Sequence, residues 1–175
     1  MDGPPLHWSV DITSAAHSPL DFSYEANAKE LDALKRYAGI EAVTGFTARL
    51  KLSPLAGGRY RVSGTLQASV VQASTVNLEP VHSSIQESFS VEYWPAEAIG
   101  EALEDVPFDA DVPEPIVAGR IPAGALLSEL FTLALDPYPR NPDDKLDWTP
   151  PQAEPEPGPF AKLVLLKPGG PPDEK

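Results

Sequence analysis

The sequence predicts an α+β domain in which a twisted antiparallel β-sheet, open or curled toward a barrel, is covered by two main helices. Three observations carry that reading. From Phe46 the chain alternates apolar and polar residues, with Phe46, Ala48, Leu50 and Leu52 set against Thr47, Arg49, Lys51 and Ser53, the period of a strand with one buried face. After Ala56-Gly57-Gly58, a turn suited to positive φ, the alternation resumes through Tyr60, Val62, Gly64, Leu66, Ala68 and Val70, which makes a long hairpin. Segments of helical periodicity at 28–38 and 123–135 flank the strands, and past Arg140 the composition turns to prolines and carboxylates. Residues 1–140 are therefore read as one domain and 141–175 as a linker and tail.

In chain order, Val10 and Ile12 alternate with Ser9 and Asp11, and Leu20, Phe22 and Tyr24 form a second alternating piece. Asn27 is placed to cap the helix that follows. Glu30 stands three residues on, as in a capping box, and Leu31, Leu34 and Ala38 form one apolar stripe. Gly39 suits a left-handed helix stop. Beyond the hairpin, a strand is expected from Ile85 to Trp94, ended by Pro95. The stretch Glu97–Glu114 reads as an exposed acidic loop, since its apolar residues are sparse and Pro107 and Pro113 interrupt it. Residues 115–121 read as extended. Pro122 then opens the second helix, whose Leu126, Leu127, Leu130, Phe131, Leu133 and Leu135 nearly encircle it and point to core. Pro137 and Pro139 end that helix. In the tail, a short apolar island at 160–167 stands out as a segment that docks back or binds a partner.

Bulk properties narrow the function. The formal net charge is −13, so nucleic-acid phosphates are repelled on average and RNA contact requires a local basic patch. There is no cysteine, which excludes disulfides and thiolate chemistry and suits a cytoplasmic protein. No membrane-length apolar run and no secretory signal pattern is visible. His7, His17 and His82 form no metal-ligand spacing, and no nucleophile elbow or phosphate-cradling glycine loop occurs. The expectation is a non-enzymatic protein without cofactor or metal, and with neither membrane nor DNA as a partner.

Two places attract attention as binding sites. The hairpin's outward side carries Arg49, Lys51, Arg59 and Arg61, same-parity pairs that a central turn brings near each other. Two readings of it stand: a small patch for phosphate or an acidic partner, and a solvated strand face whose charges discourage edge pairing. The other place is Val71-Gln-Ala-Ser74-Thr-Val-Asn77-Leu-Glu79-Pro80-Val81.

That second segment, with several others in the same order, resembles the YceD family, the large ribosomal RNA subunit accumulation proteins, and in particular its alphaproteobacterial branch. The similarity runs through Ala38-Gly39-Ile40, Gly57-Gly58-Arg59-Tyr60, Val62-Ser-Gly64-Thr-Leu66 and Leu78-Glu79-Pro80-Val81. It continues through Glu87-Ser-Phe89-Ser-Val91-Glu-Tyr93, Leu126–Leu135, Asp136-Pro137-Tyr138-Pro139-Arg140 and Pro159-Phe160-Ala161. The resemblance implies a ribosome-assembly accessory factor that promotes accumulation or maturation of large-subunit ribosomal RNA. Its implied partner is the pre-ribosomal large subunit, reached through ribosomal protein, rRNA or both. The chain departs from family members that carry Cys-x-x-Cys before Leu-Glu-Pro: Ser74 and Asn77 stand there, with Val76 where others have a basic residue. The segment is left with shape, backbone and the Glu79 carboxylate. Ser74 and Asn77 are expected to satisfy turn backbone groups, in a crossover where Pro80 ends a strand. The candidate binding residues are thus Arg49, Lys51, Arg59, Arg61, Ser74, Asn77, Glu79, Tyr138 and Arg140. The competing expectation is an acidic adaptor or chaperone for a basic client such as a ribosomal protein, without direct RNA contact.

Overall fold

The computed structural model describes residues 3–15, 18–102 and 112–145. Its frame is a five-stranded sheet in the order β2-β3-β4-β5-β6, built from β2 (Leu20–Glu25), β3 (Ala42–Pro54), β4 (Tyr60–Ala73), β5 (Pro80–Trp94) and β6 (Glu114–Pro115). The first four strands pair antiparallel in chain order, and the short β6 runs parallel to the end of β5. A separate two-stranded ribbon joins β1 (Val10–Asp11) to β7 (Arg120–Ile121). The sheet is open, so the barrel alternative is set aside: β2 and β6 stand at opposite edges.

The alternation seen in the sequence is the alternation of the sheet. Phe46, Ala48, Leu50 and Leu52 of β3 and Val62, Leu66, Ala68 and Val70 of β4 are buried, while Thr47, Arg49, Lys51, Arg61 and Gln67 are exposed. Gly64 interrupts the inner row for a reason. A Cβ there would collide with the Arg49 carbonyl oxygen, so only glycine allows the two backbones to approach so closely.

Among the described residues three α-helices accompany the sheet: α1 (Ala28–Ala38), α2 (Ala96–Ala102) and α3 (Ala123–Leu133). The expected Asn27 capping box is present, with Glu30 returning a hydrogen bond to the Asn27 backbone and Gly39 left-handed at φ 66°. Helix α1 lies along β3 and buries Leu34. From α3, Leu127 and Phe131 enter the core, and the Phe131 ring meets Phe46 edge-on at 5.7 Å. Not all of its leucines do so: Leu133 is 82% exposed and Leu130 only partly buried, so α3 is half-embedded rather than encircled, and it ends at Leu133, short of the partly buried Leu135. The N-terminal segment is strapped over its start. Gly124 donates its N–H to the Trp8 carbonyl at 2.8 Å, Leu6 is buried beside it, and a Cβ at Gly124 would strike the Leu6 carbonyl. Trp8 stacks on Tyr24 at 4.5 Å and donates its indole N–H to Glu30, linking the N-terminal segment to β2 and α1.

Other expectations shift. The strand foreseen from Ile85 begins at Pro80, so Pro80 opens a strand rather than ending one, and the connection is a hairpin loop rather than a crossover. A strand's first residue tolerates the missing N–H. Part of the stretch read as an acidic loop is helical (α2), and part is β6; residues 103–111 lie outside the described residues. The segment 146–175, with the 160–167 island, also lies outside them, as does His17. No described helix is long and apolar enough to cross a membrane.

Candidate functional site

Pairing registers turn the outward residues of β2–β5 into rows. Asp21, Lys51, Ser63 and Ser90 stand side by side across four strands; Ser23, Arg49, Thr65 and Ser88 form the next row, and Glu25, Thr47, Gln67 and Gln86 the one after. On the hairpin side, Ser53, Arg61 and Glu92 complete the pattern. No described helix or strand covers these rows, whose members are exposed or half-buried. Two depressions follow them: one is lined by Ser23, Glu25, Thr47, Arg49, Thr65 and Gln67, the other by Asp21, Ser23, Arg49, Lys51, Ser63 and Thr65. This surface carries hydroxyls, amides and charges, and no large aliphatic side chain stands in its rows.

The four cations expected to form one patch divide. Arg49 and Lys51 are exposed, and among the described residues no ion pair engages them. Arg61 is bound to Glu92 at 2.6 Å. Hydrogen bonds from Arg61 and then from the Trp94 indole hold the Glu92 carboxyl below the usual glutamate range. Arg59 turns away, donating to the Ala56 carbonyl and lying over the Trp94 ring at 4.9 Å. The rows therefore carry Arg49, Lys51 and Arg61 against Asp21, Glu25 and Glu92. That balance makes the face near neutral on a chain of net charge −13.

At the other end of the β4–β5 hairpin, the loop 74–79 is tied to the segment that follows α3. Ser74, fully buried, donates its hydroxyl to Asp144 Oδ2 at 2.5 Å, and the Asn77 amide donates to Asp144 Oδ1 at 3.2 Å. The Asn141 N–H adds a third donor at 2.7 Å. Led by the Ser74 hydroxyl, these donors favour the ionised carboxylate and depress the Asp144 pKa. Ser74 Oγ also accepts the Val76 N–H, and Asn77 Oδ1 the Glu79 N–H, the turn-satisfying role expected of short polar side chains. The Thr75 N–H reaches the Pro139 carbonyl at 2.8 Å, and the Gln72 side-chain amide the Asp136 carbonyl at 3.0 Å.

This arrangement gives the two positions Ser74 and Asn77 a shared structural partner that the sequence reading missed. Asp144 lies 70 residues from Ser74, and no local pattern announces it. Among the described residues no group of three or more His, Asp or Glu side chains is placed to hold a metal ion. Of the remaining candidates, Glu79 is exposed and contributes its backbone carbonyl to Ser74 N–H, while Tyr138 is 74% exposed and Arg140 exposed. The structure thus holds Ser74 and Asn77 together, and does not gather Tyr138, Arg140 and the sheet-face cations into one site. No protein-family model matches this chain, and neither the curated proteins nor the solved structures contain a match.

Proposed function

We propose that the protein is a non-enzymatic accessory factor of ribosome assembly, acting in the cytoplasm on the accumulation or maturation of large-subunit ribosomal RNA. The family resemblance of the sequence suggests the role, and the uncovered polar face of β2–β5 is the observation that supports a binding surface for it. Arg49 and Lys51 supply charges available to a partner, and the surrounding hydroxyls and amides supply donors and acceptors at the strand spacing of about 4.8 Å. The near neutrality of that face and the −13 chain around it also favour a second reading. In it the direct contact is a basic ribosomal protein, and the chain serves as its acidic adaptor without touching RNA.

The test is sedimentation of cell lysate through a sucrose gradient at low and moderate salt, following the wild type and an Arg49→Ala/Lys51→Ala variant. Co-migration of wild type with large-subunit precursors, weakened by salt and lost in the variant, is expected. Wild type confined to the free fractions even after crosslinking would overturn the assembly role. RNase treatment that leaves the co-migration intact would select the protein contact over RNA.

A further inference from the structure

One side of β5 is fully used and the other is almost unused. Against β4 it pairs from Tyr93 opposite Tyr60 to Pro80 opposite Ala73 without a register shift. On its other side, among the described residues, only Tyr93 and Trp94 have a strand partner, β6. Alternate residues of a strand direct their N–H and C=O to each side, so along Val81–Glu92 one row of peptide groups points outward. Among the described residues that row has no backbone partner. Proteins usually blunt such an edge with proline, lysine, a bulge or shortness. Val81–Glu92 contains no proline, lysine or arginine, has no bulge against β4, and is long for a strand. The opposite edge is short by comparison, since β2 has six residues.

We propose that this open edge of β5 is a strand-addition site, which takes an extended lysine- or arginine-rich segment of a basic protein as a further strand. Main-chain hydrogen bonds to the outward peptide groups supply the attachment, as in other cases of strand addition. Charge names the occupant. The edge carries Glu87, exposed and without a side-chain partner among the described residues, and at its far end the exposed Glu114 of β6; Glu92 there is already paired with Arg61. A recess there is lined by Arg61, Glu92, Trp94, Val112, Pro113 and Glu114 among others; Arg61 is already paired with Glu92, so Glu114 supplies the acidic contact beside Trp94 and Val112. A second copy of this chain would bring another −13 to the same edge, and RNA cannot continue a peptide ladder. The site uses neither Arg49 nor Lys51, so it stands or falls apart from the surface proposed above.

The experiment follows backbone amide exchange and chemical shifts of the full chain, alone and with a blocked peptide of alternating lysine and valine. A peptide of alternating glutamate and valine is the control. In the free protein alternate amides within Ser83–Val91 should exchange rapidly; the lysine peptide should slow them about tenfold or more, and the glutamate peptide should not. Glu87→Lys should weaken the lysine peptide about fivefold, and Arg49→Ala/Lys51→Ala should leave it unchanged. The proposal fails if those amides are already protected in the free protein at every concentration. It fails equally if protection grows with the protein's own concentration, which identifies a second copy, or if a uridine oligonucleotide or the glutamate peptide protects the edge as well.

Discussion

The two faces of one set of strands have been put to opposite uses. Inward, β3 and β4 present Phe46, Leu50, Leu52, Val62 and Leu66 to α1, α3 and the strapped N-terminal segment. Outward, the same strands present Thr47, Arg49, Lys51, Ser63 and Thr65, which no described element covers. A one-residue slip of register would exchange the two sets, so the apolar row fixes the pairing and the polar row is free to vary. Stability should therefore sit almost wholly on the inner side, and recognition on the outer.

Substitutions can break this division, beginning with the largest effect. Phe131→Ala removes the ring that meets Phe46 and should cost about 3–5 kcal/mol in urea unfolding. If it costs no more than a surface substitution, α3 does not close the inner face. Gly64→Ala adds a single methyl group toward the Arg49 carbonyl and should cost about 1–3 kcal/mol, although alanine is no worse than glycine in ordinary strands. Ser74→Ala should cost about 0.5–1.5 kcal/mol, because the half-buried Val76 N–H loses its acceptor and Asp144 Oδ2 keeps only the Asn141 N–H of its two donors.

The Asp144 tie also has a pH signature. Its folded pKa is depressed, first by the Ser74 hydroxyl, so its contribution is present in full above the ordinary aspartate range. That contribution is lost as pH falls through the lowered folded value. A pH series of unfolding curves should show the acid-side loss, and Ser74→Ala should flatten it. Smallest of all, Arg49→Ala/Lys51→Ala should move stability by no more than about 0.5 kcal/mol, while Arg61→Ala, which breaks only the exposed pair with Glu92, should cost less than about 1 kcal/mol. A large loss in either would mean that the outer face is structural after all.

What was legible in the sequence was local. Alternation from Phe46 to Val70 located the central hairpin, and Asn27, Glu30 and Gly39 marked both ends of α1, because each signal is set within a few residues. The first third of β5, Pro80–Ser84, was missed for an equally local reason. Ser83 occupies the inward position between Val81 and Ile85, opposite Val70, and it interrupts the period-2 pattern there. Helix α2 is brief and sits in an acidic stretch whose apolar residues are few. The division of the basic residues depended on partners in another strand: Trp94 takes Arg59 and Glu92 takes Arg61, and neither is adjacent in sequence. The tie of Ser74 and Asn77 to Asp144 spans 70 and 67 residues in the same way. Contacts of this kind follow from the assembled sheet, so no window along the chain displays them.

The strap of Leu6–Trp8 over the start of α3 also bears on how the chain is made. Helix α1 and strands β2 to β5 are complete once Trp94 has been synthesised, but the second helix on their apolar face, α3, begins at Ala123. At about 5–20 residues per second, that face waits a few seconds for α3. The N-terminal segment, although made first, finds the carbonyl contact for its own Trp8 only when Gly124 arrives. Docking of α3 is thus the step that closes the domain at both ends of its sequence, and a nascent chain halted before residue 123 would display a finished sheet whose greasy side is covered by α1 but still open where Phe131 and Leu127 belong.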